Sequence, residues 1–329
     1  MKTFKLLFFV IVFLGLLTGI WPDAELADQS QNDIISFLDK PFDLAGKRTI
    51  QRQYFLMKTK LIHHALDGTR TGTDTLNLWL EFAPASISGE KEDRYICRRF
   101  TVRRGDEAPV SIPALTDWSY KYFGGINEAG QVFGIDHAKF ENIKNEKGEA
   151  LPPDFAYFVY NTFIDFHGFC DVFASPVEGG EGTGIQDLKF IGDKIIHAAS
   201  NTEPPVNLGS NVAEGSTFKN GVATLEFKGI SLVDGRLCSL VAFDSGESSF
   251  HMIMRPTPNM EINTVGSSHY KGDLYIDLET FWVRKVVMDE FVVSETTLPM
   301  PPNKINGVVE RESFIRNVTQ EEFLAKLGE

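Results

Sequence analysis

The chain has 329 residues, 43% of them hydrophobic and 23% charged, with 27 Phe against only 8 Tyr. That length supports one large domain or two ordinary ones around a real core, and the composition excludes a disordered chain, a collagen-like repeat and a disulfide knot. Thirty-two basic against 45 acidic residues leave a net charge of −13 with no Lys/Arg block, which disfavours nucleic acid and anionic membrane surfaces as partners.

Lys2 and Lys5 precede an uncharged run from Leu6 to Trp21 that Pro22-Asp23 ends. This is the pattern of an export signal, too short for a comfortable membrane span of about 20 residues. A cleaved signal is favoured, with a retained anchor at residues 6–21 as the alternative, and the expected location is periplasmic or extracellular. The cleavage site stays open. Cys97, Cys170 and Cys238 are too few and too scattered for a disulfide framework or a zinc site, and read as small buried hydrophobes.

A polar lead-in carries one helical turn near 34–38, and period-2 patterning then begins. Phe55, Met57, Thr59 and Leu61 share one face, as do Leu76, Leu78, Leu80 and Phe82, with a turn-rich segment at 67–72 between them. That predicts a hairpin. A third strand is expected to carry Ile96, Phe100 and Val102 on one face, and the adjacent Arg98 and Arg99 on opposite ones.

After Leu151-Pro152-Pro153 the period changes to helical. Asp154 is expected as the N-cap, and Phe155, Val159, Phe163, Phe166, Cys170 and Phe173 recur at the spacing of a buried helix. A Gly-rich link at 178–184 leads to a second expected helix through Ile185, Leu188, Ile191, Ile195 and Ala199. From Ser216 the strands return with short turns, predicting a meander with sequential pairing in which Asp244-Ser245-Gly246-Glu247 is a hairpin turn. A capping box, Thr319 to Glu322, opens a short terminal helix.

The expected fold class is therefore α+β: a mainly antiparallel sheet, curved or an incomplete barrel, with two helices in the middle of the chain. The regions are a signal and lead-in (1–27), an N-terminal β region (28–130), a helical and loop middle packed on the sheet (131–212), and a C-terminal β meander ending in a short helix (213–329).

Acidic and imidazole groups concentrate at Asp136-His137 and at Asp165, His167 and Asp171. The last three are the catalytic candidates, since a helix puts His167 and Asp171 on one face. Their spacing fits no metal motif, so neither metal nor cofactor is expected. Adjacent His63 and His64 point to opposite faces of a strand. Asp244-Ser245-Gly246 resembles the Asp-Ser/Thr-Gly signature of aspartic proteases over three residues, but turn chemistry already accounts for it and is the favoured reading. Neither a phosphate loop nor a Gly-x-Ser-x-Gly elbow occurs.

The segment Gly272-Asp273-Leu274-Tyr275-Ile276-Asp277-Leu278-Glu279-Thr280-Phe281-Trp282-Val283-Arg284-Lys285 resembles the strand, Asp-x-Glu turn, strand unit of exported concave-sheet proteins such as the LolA-type lipoprotein carriers. The resemblance covers these fourteen residues and implies an incomplete antiparallel barrel with helices in its mouth and an apolar cavity. The expectation that follows is an exported, non-enzymatic binding or carrier protein of the cell envelope. Its partner would be an apolar small molecule or an envelope protein, with Phe155, Phe163 and Phe166 in the cavity wall. The alternative is a hydrolase using Asp/His groups of residues 136–171.

Overall fold

The computed structural model describes residues 40–89, 91–177, 182–204, 212–257, 260–301 and 303–328. The expected export signal, the helical turn near 34–38 and most of the Gly-rich link lie outside them. Packing separates residues 1–42 from a second unit, 43–329, to which everything below belongs.

Thirteen strands form one antiparallel sheet: β1 (Gln53–His64), β2 (Arg70–Ala83), β3 (Arg94–Arg104), β4 (Val110–Ser111), β5 (Trp118–Tyr120), β6 (Lys194–Ile196), β7 (Thr217–Lys219), β8 (Thr224–Val233), β9 (Arg236–Asp244), β10 (Ser248–Thr257), β11 (Met260–Asp277), β12 (Val283–Thr297) and β13 (Lys304–Val318). The order β4-β3-β2-β1-β13-β12-β11-β9-β8-β6 leaves two edges, so the sheet does not close into a barrel. The fold class expected from the patterning is the one observed, a mainly antiparallel sheet with few helices.

Each face has its own helix. The inner face carries Phe55, Met57, Leu61, Leu76, Leu78 and Leu80, all buried, beneath α2 (Pro153–His167). Ring contacts of Phe55 with Phe166 and of Phe100 with Phe163 mark that contact. On the outer face, α3 (Gln320–Gly328) sets Phe323 against Tyr54 and Val318, with Leu56 and Trp79 around them. A third helix, α1 (Ala85–Ser88), is a single exposed turn.

Several local expectations change. The N-cap of α2 is Pro152, not Asp154: Pro153 occupies the first helical position, where a missing N–H costs nothing, and it holds Pro152 extended. Residues 185–199 are not a second helix but a 3-10 turn (Ile185–Asp187) followed by β6. Gly192 sits at positive φ, and the Asp193 carboxylate accepts from the backbone N–H groups of Lys189 and Phe190, which ends the turn. In β3 a bulge at Arg98/Arg99 shifts the alternation, so Cys97 joins Phe100 and Val102 inside while Ile96 lies opposite Glu81 on the outer face. Both arginines consequently face outward. Arg98 bonds Glu81, and Arg99 lies over the Trp79 ring.

The meander is also not wholly sequential. At 18 residues β11 is twice the length of β9, and its two halves pair with different strands: residues 260–268 with β10 and 271–277 with β9. Strands β9 and β10 thus run end to end along β11, and Asp244 to Glu247 is a break between them rather than a hairpin turn. The Ser245 N–H donates to the Tyr270 carbonyl and the Tyr270 N–H to Ser245 Oγ, which bridges the break. Gly221 is required beside it, because a Cβ there would lie 2.6 Å from backbone atoms of Ser245 and Gly246.

The hairpin Gly272–Lys285 is β11 and β12 with a turn set by Asp277, whose Oδ1 accepts from the N–H groups of Glu279 and Thr280 at 2.9 Å. The Asp-x-Glu signature is thereby explained by local turn chemistry.

Candidate functional site

Helix α2 continues into a single π turn, Gly168–Val172, and carries two buried polar clusters, one around each end of that junction. The first is built on His167 (0% exposed) and Asp171 (4%). His167 Nδ1 lies 2.7 Å from Asp171 Oδ2, and its Nε2 lies 2.7 Å from the Tyr120 hydroxyl. An ionised carboxylate can only accept, so Nδ1 carries the hydrogen and Tyr120 donates to Nε2. Tyr95 donates to Asp171 at 3.2 Å, and Arg48 closes the cluster through Asp171, the Cys170 carbonyl and Ser175. The Arg48 guanidinium also lies 4.6 Å over the Trp282 ring. Burial by itself would raise the Asp171 carboxyl, but Arg48 and the His167 hydrogen bond hold it below its ordinary range. Burial pushes the phenols of Tyr95 and Tyr120 far up, so both remain hydrogen-bond donors.

The second cluster lies across the inner face of three strands. Register places Tyr270 of β11, Glu290 of β12 and Arg311 of β13 side by side, and α2 adds Asp165 and Asn161 from above. Arg311 Nη1 donates to Asp165 Oδ2 at 2.6 Å and to the Tyr270 hydroxyl at 2.7 Å. Tyr270 donates to Asp165 Oδ1 at 3.1 Å, and with its amide oxygen turned to the guanidinium Asn161 accepts from Nη1 and Nη2. Glu290 Oε2 is 3.1 Å from Arg311 Nε, a charge contact without hydrogen-bond alignment that leaves both atoms otherwise unpartnered. Burial raises the carboxyls of Asp165 and Glu290, and Arg311 offsets only part of this.

The structure therefore brings Asp165, His167 and Asp171 onto one helix but assigns them to two separate networks. Asp136 caps the 3-10 turn His137–Phe140 by accepting from the Ala138 N–H. His137 packs on Tyr160, where burial lowers its basicity. His63 and His64 sit on opposite faces, against Asp74 and Glu310. Asp244 is exposed and bonds His269. Phe155, Phe163 and Phe166 are all buried: Phe163 touches the rings of Phe100, Trp118, Tyr120 and Phe140, and Phe166 those of Phe55 and Tyr95. The three cysteines are free and buried, and burial raises the Cys170 thiol well above its usual range. Among the described residues no group of His, Cys, Asp or Glu could hold a metal ion.

An open cleft of about 430 Å³ lies to one side of α2, between β5 and the loop that follows it. Trp118, Ser119, Tyr120, Lys121, Phe123 and Asn127 form much of its wall, with Gln131 and Asp136 opposite. The loop turn 127–131 is held by the Asn127 side chain, whose Oδ1 accepts from the N–H groups of Ala129 and Gln131. The same Asn-Glu-x-Gly turn recurs at 145–149 around Asn145. Gly134, at positive φ, lets the loop cross the Lys121 carbonyl, which a Cβ would meet at 2.0 Å. Sequence reading missed this cleft. The Asn-Gly turn signals at 127–130 were its available trace, but nothing local ties them to β5.

No helix among the described residues is long and apolar enough to cross a membrane. No family model matches the chain, and no curated protein matches it. Among solved structures, it is similar to a loop-deletion mutant of OmpT, an outer membrane protein of Vibrio cholerae, at 9% identity and a TM-score of 0.15, covering 82% of this chain and 100% of that one, a likeness too slight to bear on the fold.

Proposed function

We propose that this chain is an exported, non-enzymatic binding protein of the cell envelope, and that the cleft between β5 and residues 121–136 receives its ligand. The observation that carries this reading is a contrast in access. Three of the groups able to do acid–base chemistry, Asp165, His167 and Asp171, are buried in the core, whereas the open cleft offers Trp118 and Phe123 beside the amides of Asn127 and Gln131, with Asp136 the one carboxylate among its described lining residues. A catalytic base must reach the proton it abstracts, and the hydrogen-bonding atoms of these three are taken by protein partners. Phe123, 44% exposed, and the half-buried Trp118 give an apolar surface; Asn127, Gln131 and Ser119 give hydrogen-bonding groups along it. Lys121 pairs with Glu92, which leaves the exposed Asp136 as the one unpaired charge among the described lining residues. A small molecule with an apolar face and hydrogen-bonding edges fits this lining. An apolar ligand between α2 and the sheet would have to displace close-packed rings.

Native mass spectrometry of the full chain purified from its own host tests the reading. A retained small molecule is expected, and Phe123→Ala should reduce its retention about tenfold, roughly 1.4 kcal/mol. A hydrolytic turnover abolished by His167→Ala, or stoichiometric metal lost in that variant, would favour the hydrolase instead.

A further inference from the structure

The cluster beneath α2 is one positive charge short. Facing Glu290 are Ser268 and Tyr270 from β11, Arg311 from β13, and Tyr157, Asn161 and Asp165 from α2; Leu61 of β1 lies beside Arg311, and Ser248 of β10 is bonded to Ser268. Two carboxylates therefore share one guanidinium, each at least nine-tenths out of water, and every other neighbour is neutral. An uncompensated buried charge is costly, and the least disruptive remedy is a proton on one carboxyl.

The hydrogen bonds show which carboxyl takes it. Asp165 is fully served as an anion, with Arg311 on one oxygen and Tyr270 on the other. The single Tyr270 phenol proton given to Asp165 cannot also serve Glu290. The Ser268 hydroxyl can serve one oxygen of Glu290, but Oε2 has no aligned donor even with Arg311 Nε 3.1 Å away. We infer that the folded protein binds one proton on Glu290, which removes the excess negative charge beneath α2.

The upward displacement of both carboxyls, caused by burial and for Glu290 reinforced by Asp165, agrees with this. A carboxyl raised in the folded state stabilises fully below its unfolded pKa, near 4.3 for Glu, and that stability is lost as pH rises through the folded value. The cluster is thus balanced in charge in acid and strained in alkali.

Infrared difference spectroscopy of the full chain tests the assignment. At neutral pH the wild type should show the C=O stretch of a protonated carboxyl, which vanishes in alkali and is missing from Glu290→Gln. No such band in the wild type, or the same band persisting in the variant, overturns the proposal. The melting temperature of the wild type should fall as pH rises past neutrality while that of Glu290→Gln stays level; equal slopes would overturn it too. Should the variant fail to fold, ¹³C-glutamate labelling of the wild type decides: a band that shifts with the label supports Glu290, and one that does not move overturns it.

Discussion

The two clusters on α2 use the same kinds of residue and reach opposite electrostatic states. Around Asp171 one carboxylate meets one guanidinium, and the carboxyl is held below its ordinary range. Around Asp165 two carboxylates meet one guanidinium, and both are raised. Burial is alike in both places, so the number of carboxylates that share the guanidinium, rather than depth, decides the direction of the shift, with the His167 hydrogen bond adding to the lowering at Asp171. Hydrogen bonding follows charge: the first cluster uses every acceptor of Asp171, while the second leaves Glu290 Oε2 without an aligned donor.

The largest expected effect comes from removing the shared cation. Arg311→Met would leave two buried carboxyls without a counter-charge and should cost about 3–5 kcal/mol in denaturant unfolding at neutral pH. Much of that loss should be recovered in acid, where both carboxyls can protonate. A loss that does not depend on pH would mean that packing, not charge, is what Arg311 contributes. Phe163→Ala gives a charge-free reference on the same helix: its ring is fully buried among four aromatic neighbours, so truncation should cost about 3–5 kcal/mol at every pH.

Asp171 should show the reverse pH dependence. A carboxyl lowered in the folded state stabilises above its unfolded pKa, about 3.9 for Asp, and that stability is lost as pH falls through the folded value. Asp171→Asn should therefore flatten the acid limb of the melting-temperature profile and leave the alkaline limb unchanged. An acid limb as steep as in the wild type would break the comparison, because it would place acid sensitivity elsewhere.

Much of this was legible in the sequence wherever alternation is local. The shared faces of β1 and β2 and the Phe series of α2 follow from periods of 2 and 3.6 residues, and the structure keeps them. The same period places Glu290 between Met288 and Val292, and Arg311 between Val309 and Ser313, so both belong to inward-facing rows; that was the available signal for the second cluster. What no local pattern could supply was the pairing. Arg311 stands 146 residues from Asp165, and Arg48 stands 123 from Asp171. The bulge in β3 was hidden for a related reason: two adjacent arginines face one way because their partners, Glu81 and Trp79, lie on the neighbouring strand. The break between β9 and β10 depends on the length of β11, a strand not yet reached when the turn at 244–247 is read.

The smallest effect lies at the junction between the two clusters. Gly168 follows His167 and opens the π turn, in which the Phe173 N–H donates to the Gly168 carbonyl, five residues back. Its φ is −53°, within the ordinary helical range, and a Cβ added there would meet nothing within 4 Å. No strain or clash therefore requires glycine, and Gly168→Ala should stabilise the protein by roughly 0.5–1 kcal/mol, mainly by limiting the unfolded chain. The π turn itself should survive, because Arg48 holds the Cys170 carbonyl and Asp171 from one side and His167 holds Asp171 from the other. Unchanged acid and alkaline limbs in this variant would show that the clusters, rather than the glycine, set the helix geometry. A variant that is less stable and has lost the acid limb would show instead that the extra backbone freedom at Gly168 is what lets His167 and Asp171 meet.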